Sequence, residues 1–159
     1  MSYEQAIAFW FERINFERRS PQAADLKLDR MRWLLDLLGE PHRSFPIIHI
    51  AGSKGKGSTA AMLANILTEN GFRTGLFTSP HLIHVEERVQ VNNRRISHDD
   101  LTTNLEEIRT AISRQEKFSD DSFTFFEIAT ALGFLYFAKA KVDFAVVEVG
   151  LGGRFDSTN

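Results

Sequence analysis

A glycine-rich segment at residues 52–59, Gly-Ser-Lys-Gly-Lys-Gly-Ser-Thr, is the part of the sequence best suited to chemistry. Glycines let backbone N–H groups approach an anion closely, and a helix that begins there adds its partial positive charge. The ammonium of Lys56 can neutralise the β- and γ-phosphates of a nucleotide. The strict phosphate-loop pattern G-x-x-x-x-G-K-[ST] is not met, because it needs glycine at Ile50 and a hydroxyl at Gly57. The segment predicts a variant phosphate loop, G-x-x-G-K-G-S, in which Ser58 is a candidate Mg²⁺ ligand; the alternative is a glycine-rich turn with solvated lysines.

A second candidate is Glu148, near the end of the apolar run 142–149. Open α/β sheets bind ligands at the carboxyl ends of their strands, and a carboxylate is costly to bury there unless a positive charge meets it. The position predicts a Mg²⁺-binding acid, and the alternative is an ion pair with a basic side chain such as Arg154. The loops at 150–156 and 78–81 should leave the same edge as the phosphate loop, so we expect all three to form one crevice.

The pattern around these residues predicts an α/β fold. Residues 47–51 form a short apolar run, 58–70 an Ala-rich helix and 74–78 a second apolar run, which together are typical of a βαβ unit with parallel strands. Residues 88–91 and 94–96 alternate around an Asn-Asn pair, which predicts a hairpin. We expect a P-loop-type, mostly parallel sheet flanked by helices.

Capping residues predict where the helices begin. Three pairs have the required spacing of three residues: Ser2 with Gln5, Ser97 with Asp100, and Thr124 with Glu127. Capping fully explains Thr124 and Glu127, so their spacing alone gives them no binding role. About three parallel strands are predicted, fewer than the five or six of an average sheet, and the chain ends in a glycine-bearing loop. The sequence therefore indicates the N-terminal part of a longer protein or a truncated chain.

Composition excludes several classes of protein. The 159 residues are 43% apolar and 25% charged, which suits one globular domain. The absence of cysteine excludes a thiol nucleophile and any Cys-ligated metal. A net charge of -2 provides no overall field to attract nucleic acid or acidic membrane. Glu4 and Glu12 interrupt any signal peptide, so we expect a cytoplasmic protein with neither a nucleic-acid nor a membrane partner.

The sequence resembles the folylpolyglutamate synthase and dihydrofolate synthase enzymes of the Mur ligase superfamily. Five segments carry the resemblance in the family's order: 49–58, 78–82, 87–89, 124–127 and 148–159. The likeness as a whole spans almost the whole chain. One departure lies in the phosphate loop, where Ser53 and Lys54 replace the Thr and Asn that the family usually has. Substrate preference cannot be read from that change.

The resemblance implies an ATP-dependent ligase. ATP would phosphorylate a carboxylate of dihydropteroate or of a folate's terminal glutamate, and the amine of L-glutamate would attack the acyl phosphate. Lys56 and Glu148 would be the catalytic residues. The ATP-binding residues would be Gly52, Ser53, Lys54, Gly55, Lys56, Gly57 and Ser58. The Mg²⁺ ligands would be Ser79, Glu148 and Ser58. The pterin-bearing substrate would meet Asp25, Leu26, Thr124, Phe125, Phe126, Glu127, Phe155, Asp156 and Ser157.

Two alternatives remain open at this point: a Mur-type cell-wall amino-acid ligase, and an ATP-binding module without catalysis. The family's later metal-binding histidine, its carbamylated lysine and its C-terminal glutamate-binding domain would lie beyond Asn159. We also expect the parent enzyme to be a monomer. The chain alone should be inactive and marginally stable, and it should self-associate through uncovered apolar strand faces.

Overall fold

The computed structural model describes residues 1–17, 28–114 and 123–159. The helices in these ranges are α1 (Tyr3–Phe11), α2 (Asp29–Leu37), α3 (Lys56–Glu69), α4 (His98–Ser113) and α5 (Phe125–Ala140). The strands are β1 (Ile47–Ile50), β2 (Thr74–Phe77), β3 (Val89–Val91), β4 (Arg94–Arg95) and β5 (Phe144–Glu148). Two short 3₁₀ turns occupy Pro41–Ser44 and Val85–Arg88.

The strands form one sheet in the order β1-β5-β2-β3-β4. β1 and β2 both run parallel to β5, whereas β3 and β4 form the predicted antiparallel hairpin. The predicted α/β class is confirmed. β1 and β2 are parallel, as the βαβ pattern indicates, but they are not neighbours, because β5 is inserted between them. Helices cover both faces of β5, which explains why the strand is apolar from Phe144 to Val147.

Local sequence sets the helix boundaries. The side chains of Ser2, Ser97 and Thr124 cap α1, α4 and α5 as predicted. α3 begins at Lys56, two residues earlier than the Ala-rich pattern suggests, because Gly55 adopts a left-handed φ of 74° and turns the chain directly into the helix. Lys56 is therefore the first residue of α3.

The two faces of the sheet bury very different amounts of apolar surface. α1, α2, α4 and α5 share one large core cluster with the strand residues Phe77, Ala145 and Val147. α3 covers the other face in a small cluster whose buried members are Ala60, Ala64, Leu76 and Val146. β1 forms an edge of the described sheet, and its three isoleucines are only partly buried. Within the described ranges, no helix has the length and hydropathy needed to cross a membrane.

Candidate active site

Three loops meet at the carboxyl edge of the parallel strands. Ile50, the last residue of β1, pairs with Glu148, the last residue of β5. The phosphate loop follows β1, the Ser79 loop follows β2, and residues 149–159 follow β5. Because the three strands are parallel, these loops leave the sheet in the same direction, and they enclose one cavity, as described below.

Gly57 allows the first turn of α3 to lie against Glu148. A Cβ built on Gly57 would lie 3.2 Å from Glu148 Oε2 and 3.4 Å from Oε1. The strict phosphate-loop pattern requires a hydroxyl-bearing residue at this position, and its Cβ would crowd the carboxylate. Glycine at position 57, where the strict pattern has a hydroxyl-bearing residue, therefore leaves room for the carboxylate of Glu148. The partial positive charge of the helix N-terminus stabilises the carboxylate at this short range.

Glu148 is only 5% exposed, and its carboxylate has one hydrogen bond in the described part of the chain, from the backbone N–H of Ser79 at 3.0 Å. The alternative partner Arg154 instead places its guanidinium 5.4 Å from the ring centroid of Phe155. No ion pair of Glu148 occurs among the described residues. A buried carboxylate with this little compensation suits a bound cation.

The donors around Glu148 suit Mg²⁺ better than a transition metal. Within residues 1–17, 28–114 and 123–159, no group of three or more His, Cys, Asp or Glu side chains is arranged so that it could hold a metal ion by itself. Mg²⁺ is usually bound through one or two carboxylates, with water and phosphate oxygens completing its shell. Glu148 and the Ser79 hydroxyl would supply oxygen donors of that kind. Ser58 lies in the first turn of α3 and stays a third candidate.

A cavity of about 410 Å³ joins the phosphate loop to the N-terminus of α5. It brings together eight of the predicted site residues: Lys56, Ser79, Thr124, Phe126, Glu127, Phe155, Asp156 and Ser157. The lining does not include Glu148 or the phosphate-loop residues Gly52, Ser53, Lys54, Gly55, Gly57 and Ser58. Among the predicted substrate residues in the described ranges, Phe125 alone does not line the cavity, because its ring is 1% exposed and stacks on Trp10 with centroids 4.9 Å apart. Phe125 supports the wall from behind rather than lining the cavity. Asp25 and Leu26 lie outside the described residues.

Thr124 and Glu127 cap α5 and also line the cavity. The Thr124 N–H donates to Glu127 Oε2 at 2.8 Å, and the Glu127 N–H donates to Thr124 Oγ1 at 3.2 Å. Arg30 Nε lies 3.2 and 3.3 Å from the two carboxylate oxygens of Glu127. Burial raises the pKa of Glu127, and the hydrogen bonds from Thr124 and the charge of Arg30 oppose that rise. Capping and ligand contact are therefore compatible at these residues.

Asp156 organises the loop that follows β5. Its Oδ2 accepts the N–H of Leu151 at 2.7 Å, and its Oδ1 accepts both the N–H and the hydroxyl of Thr158. The Thr158 hydroxyl also lies 2.7 Å from His49 Nε2, which ties the loop to β1. Asp156 is 5% exposed, so most of its carboxylate is used in holding this loop together.

Sequence reasoning did not name six of the lining residues as site residues. Pro80, Gly150 and Leu151 lie in loops that were expected to form the crevice, whereas Phe16, Glu17 and Arg30 lie outside every segment predicted for the site. Glu17 follows α1 and binds Arg88, whose Nη1 and Nη2 donate to its two oxygens at 2.8 and 2.6 Å. A buried arginine needs an acidic partner, so Arg88, directly before β3, indicated that some acidic residue must lie nearby. It could not identify Glu17, which lies 71 positions away in sequence.

Proteins of similar sequence and fold include folylpolyglutamate synthases and dihydrofolate synthases. The dihydrofolate synthase/folylpolyglutamate synthase of Bacillus subtilis is 44% identical over 133 residues, which cover 83% of this chain and 31% of that protein. Folylpolyglutamate synthase from Thermotoga maritima superposes with a TM-score of 0.83 at 40% identity, over 98% of this chain and 35% of that one. The chain belongs to the folylpolyglutamate synthase/dihydrofolate synthase family. No protein-family model matches it.

A solved folylpolyglutamate synthase complex with AMPPCP and folate superposes with a TM-score of 0.90 at 35% identity, over the whole of this chain and 38% of that one. The family expected from the five sequence segments is thus confirmed. The chain spans between 18% and 36% of the length of the curated synthases it matches, and it corresponds to the N-terminal part of the family.

Proposed function

We propose that the protein carrying this chain is an ATP-dependent ligase that adds L-glutamate to folates, to dihydropteroate, or to both, through an acyl phosphate. The observation that carries the proposal is the single cavity that extends from Lys56 to the aromatic side chains of Phe126 and Phe155. A ligand seated between those rings could extend its carboxylate towards the phosphate loop. The match to a synthase complex with AMPPCP and folate supports this pairing of ligands.

The proposed roles follow from charge and position. Lys56 neutralises negative charge on the transferred phosphoryl group, and the backbone N–H groups of residues 52–58 bind the other phosphates. Glu148 and Ser79, with Ser58 as a further candidate, would hold Mg²⁺. Bound there, Mg²⁺ would withdraw charge from the phosphates. Phosphoryl transfer depends mostly on positioning and charge neutralisation, which is what these residues are placed to supply.

The aromatic half of the cavity suits a flat heteroaromatic ring. Phe16, Phe126 and Phe155 provide apolar surface, and the nearby carboxylates of Glu17, Glu127 and Asp156 can accept hydrogen bonds. A pterin combines a flat bicyclic ring with several N–H donors, so it matches both properties. A Mur-type cell-wall ligase would need a site for a large sugar-nucleotide. The aromatic side chains that line this cavity favour a flat ring instead.

Residues 1–159 would form the N-terminal part of the ATP-binding domain. The glutamate site and the remaining ATP contacts would come from the rest of that domain and from a C-terminal domain. A monomeric, cytoplasmic parent enzyme is part of the same proposal.

Incorporation of labelled L-glutamate by the full-length protein tests the proposal, with folate and dihydropteroate supplied in separate reactions. We expect incorporation with at least one of them, dependent on both ATP and Mg²⁺. Reactions without ATP, and reactions with the variant Lys56→Ala, are the controls. Nucleotide binding without incorporation into either acceptor would instead indicate a non-catalytic ATP-binding module.

A further inference from the structure

Three carboxylates line the aromatic cavity, and two of them are already engaged. Both oxygens of Glu127 lie within hydrogen-bond distance of Arg30 Nε, and one also accepts the Thr124 N–H. Asp156 accepts three hydrogen bonds from its own loop and is 5% exposed. Glu127 is 2% exposed and Asp156 is 5% exposed, so a ligand in the cavity can reach only a small part of either carboxylate.

Glu17 is the third carboxylate, and it differs from the other two. Its side chain is 28% exposed and lines the cavity. Among the described residues, Arg88 is its one side-chain partner, with each guanidinium Nη group donating to a different oxygen. The fork occupies the acceptor position on each oxygen that faces Arg88. Each oxygen has a second acceptor position, and these two point away from each other, so a ligand donor in the cavity can use one of them.

The carboxylate of Glu17 is also held in place before any ligand binds. Arg88 is fully buried, donates from Nε to His81 Nδ1 at 2.8 Å, and lies 5.0 Å above the ring of Phe125. The fork between Arg88 and Glu17 fixes the carboxylate plane, because two parallel hydrogen bonds define its orientation. Little conformational entropy is then lost when a ligand binds to it.

We infer that Glu17 accepts a hydrogen bond from the exocyclic amino group of the heteroaromatic ligand. This inference rests on the proposed function. The 2-amino group of a pterin stands at the edge of the ring, so one of its N–H bonds can point at the acceptor position that Arg88 leaves on the cavity side of Glu17. The rings of Phe16, Phe126 and Phe155 supply stacking surface in the same cavity. Glu17 would thus select for the amino-substituted end of the ring.

Binding of pteroate to the purified protein tests the inference, measured by calorimetry beside an analogue that lacks the 2-amino group. Hydrogen bonds to a charged group are strong, so we expect the wild-type protein to prefer pteroate by about ten- to a hundredfold. In Glu17→Gln that preference should fall to about threefold or less, since a neutral amide accepts a hydrogen bond more weakly than a carboxylate does. The ratio of the two affinities is the measure, because a general loss of stability would affect both ligands alike.

Two controls complete the design. Glu12→Gln changes an exposed glutamate of the same segment and should leave the preference intact. Affinity for ATP should be unchanged in both variants. Glu17→Asp keeps the charge but withdraws it by one methylene, so it should also lose most of the preference.

The outcomes separate the inference from the proposed function. A wild-type protein that binds ATP but not pteroate would contradict the folate assignment of the cavity itself. A wild-type protein that prefers pteroate, with Glu17→Gln and Glu17→Asp retaining that preference, would overturn only the role of Glu17. Failure of both Glu17 variants to fold would show that the residue is a structural partner of Arg88, and this too would overturn the inference.

Discussion

The two faces of the sheet contribute different halves of the candidate site. The face covered by α5 contains most of the buried aromatic side chains, and the N-terminus of α5 forms the wall of the aromatic cavity. The face covered by α3 buries only small or aliphatic side chains, and the N-terminus of α3 carries the phosphate loop. The aromatic half is therefore continuous with the main core, whereas the phosphate half rests on a thin layer.

Because the two faces bury such different amounts of apolar surface, residues that determine stability and residues that bind the nucleotide should be largely different ones. Regions with few buried apolar contacts contribute little to global stability and open locally at low free energy. Substitutions near the phosphate loop should therefore change binding and catalysis with little effect on unfolding. Substitutions behind the aromatic cavity should change stability first. The partly buried Ile48 and Ile50 of β1 belong to the same thin region. Self-association of the isolated chain stays a prediction that light scattering can test.

The largest expected effect on stability is that of Phe137→Ala. Phe137 is fully buried in the large core, and its ring lies so close to β2 that a Cβ on Gly75 would fall 2.9 Å from it. Removing the ring should lower the free energy of unfolding by about 3–5 kcal/mol. Met62→Ala on α3 is the control, because Met62 is 61% exposed and should change stability by less than about 0.5 kcal/mol. Urea unfolding of both variants checks the comparison, and equal losses would contradict it.

Unlike Phe137→Ala, the substitution Lys56→Ala should lower turnover strongly and change stability very little. In the proposed function the ammonium of Lys56 would neutralise the phosphates, and loss of one such group costs about a hundred- to a thousandfold in turnover. Lys56 packs in neither core cluster, so the unfolding midpoint should hardly move. Glutamate incorporation and thermal unfolding of the same full-length variant measure the two effects. Near-normal turnover with an unchanged KM for ATP would disprove the phosphate-loop assignment.

Gly150→Ala should disturb the aromatic half of the site selectively. A Cβ at Gly150 would lie 2.5 Å from Cζ of Phe126, so the ring that lines the cavity must move. We expect pteroate affinity to fall by about tenfold, with a stability loss of about 1–3 kcal/mol and unchanged ATP affinity. Gly153→Ala is the matched control, since its Cβ would have no neighbour within 4 Å. Equal effects from the two substitutions would indicate a general disturbance of the loop.

Much of this arrangement follows from local sequence rules. The caps at Ser2, Ser97 and Thr124, the hairpin at Asn92-Asn93 and the parallel strands all depend on residues close together in the chain. The convergence of three loops could also be predicted, because parallel strands place their carboxyl ends at one edge.

Other features depend on contacts between distant residues. The insertion of β5 between β1 and β2 is decided by sheet packing rather than by either strand's own sequence. The pairs Arg30 with Glu127 and Arg88 with Glu17 join residues 97 and 71 positions apart. The burial of Phe125 behind the cavity was equally hidden, because Phe125 and Phe126 are chemically identical and differ only in the direction that α5 gives them.

The smallest expected effect concerns pH and the buried carboxyl group of Glu127. Burial raises its pKa in the folded protein above the ordinary value of 4.5, so between these two values the folded state holds more protons than the unfolded state. The contribution of Glu127 to stability is therefore fully present below pH 4.5 and is lost as the pH rises through the folded-state pKa.

Glu127→Gln cannot titrate, so its stability relative to the wild type should increase over that interval, whatever the constant cost of replacing the contact to Arg30. Glu69→Gln, an exposed substitution at the end of α3, is the control for removing a carboxyl group from the surface. Urea unfolding of the three proteins from pH 4 to pH 8 measures the slopes, and parallel curves for the wild type and Glu127→Gln would show that Arg30 and Thr124 fully compensate the burial of this charge.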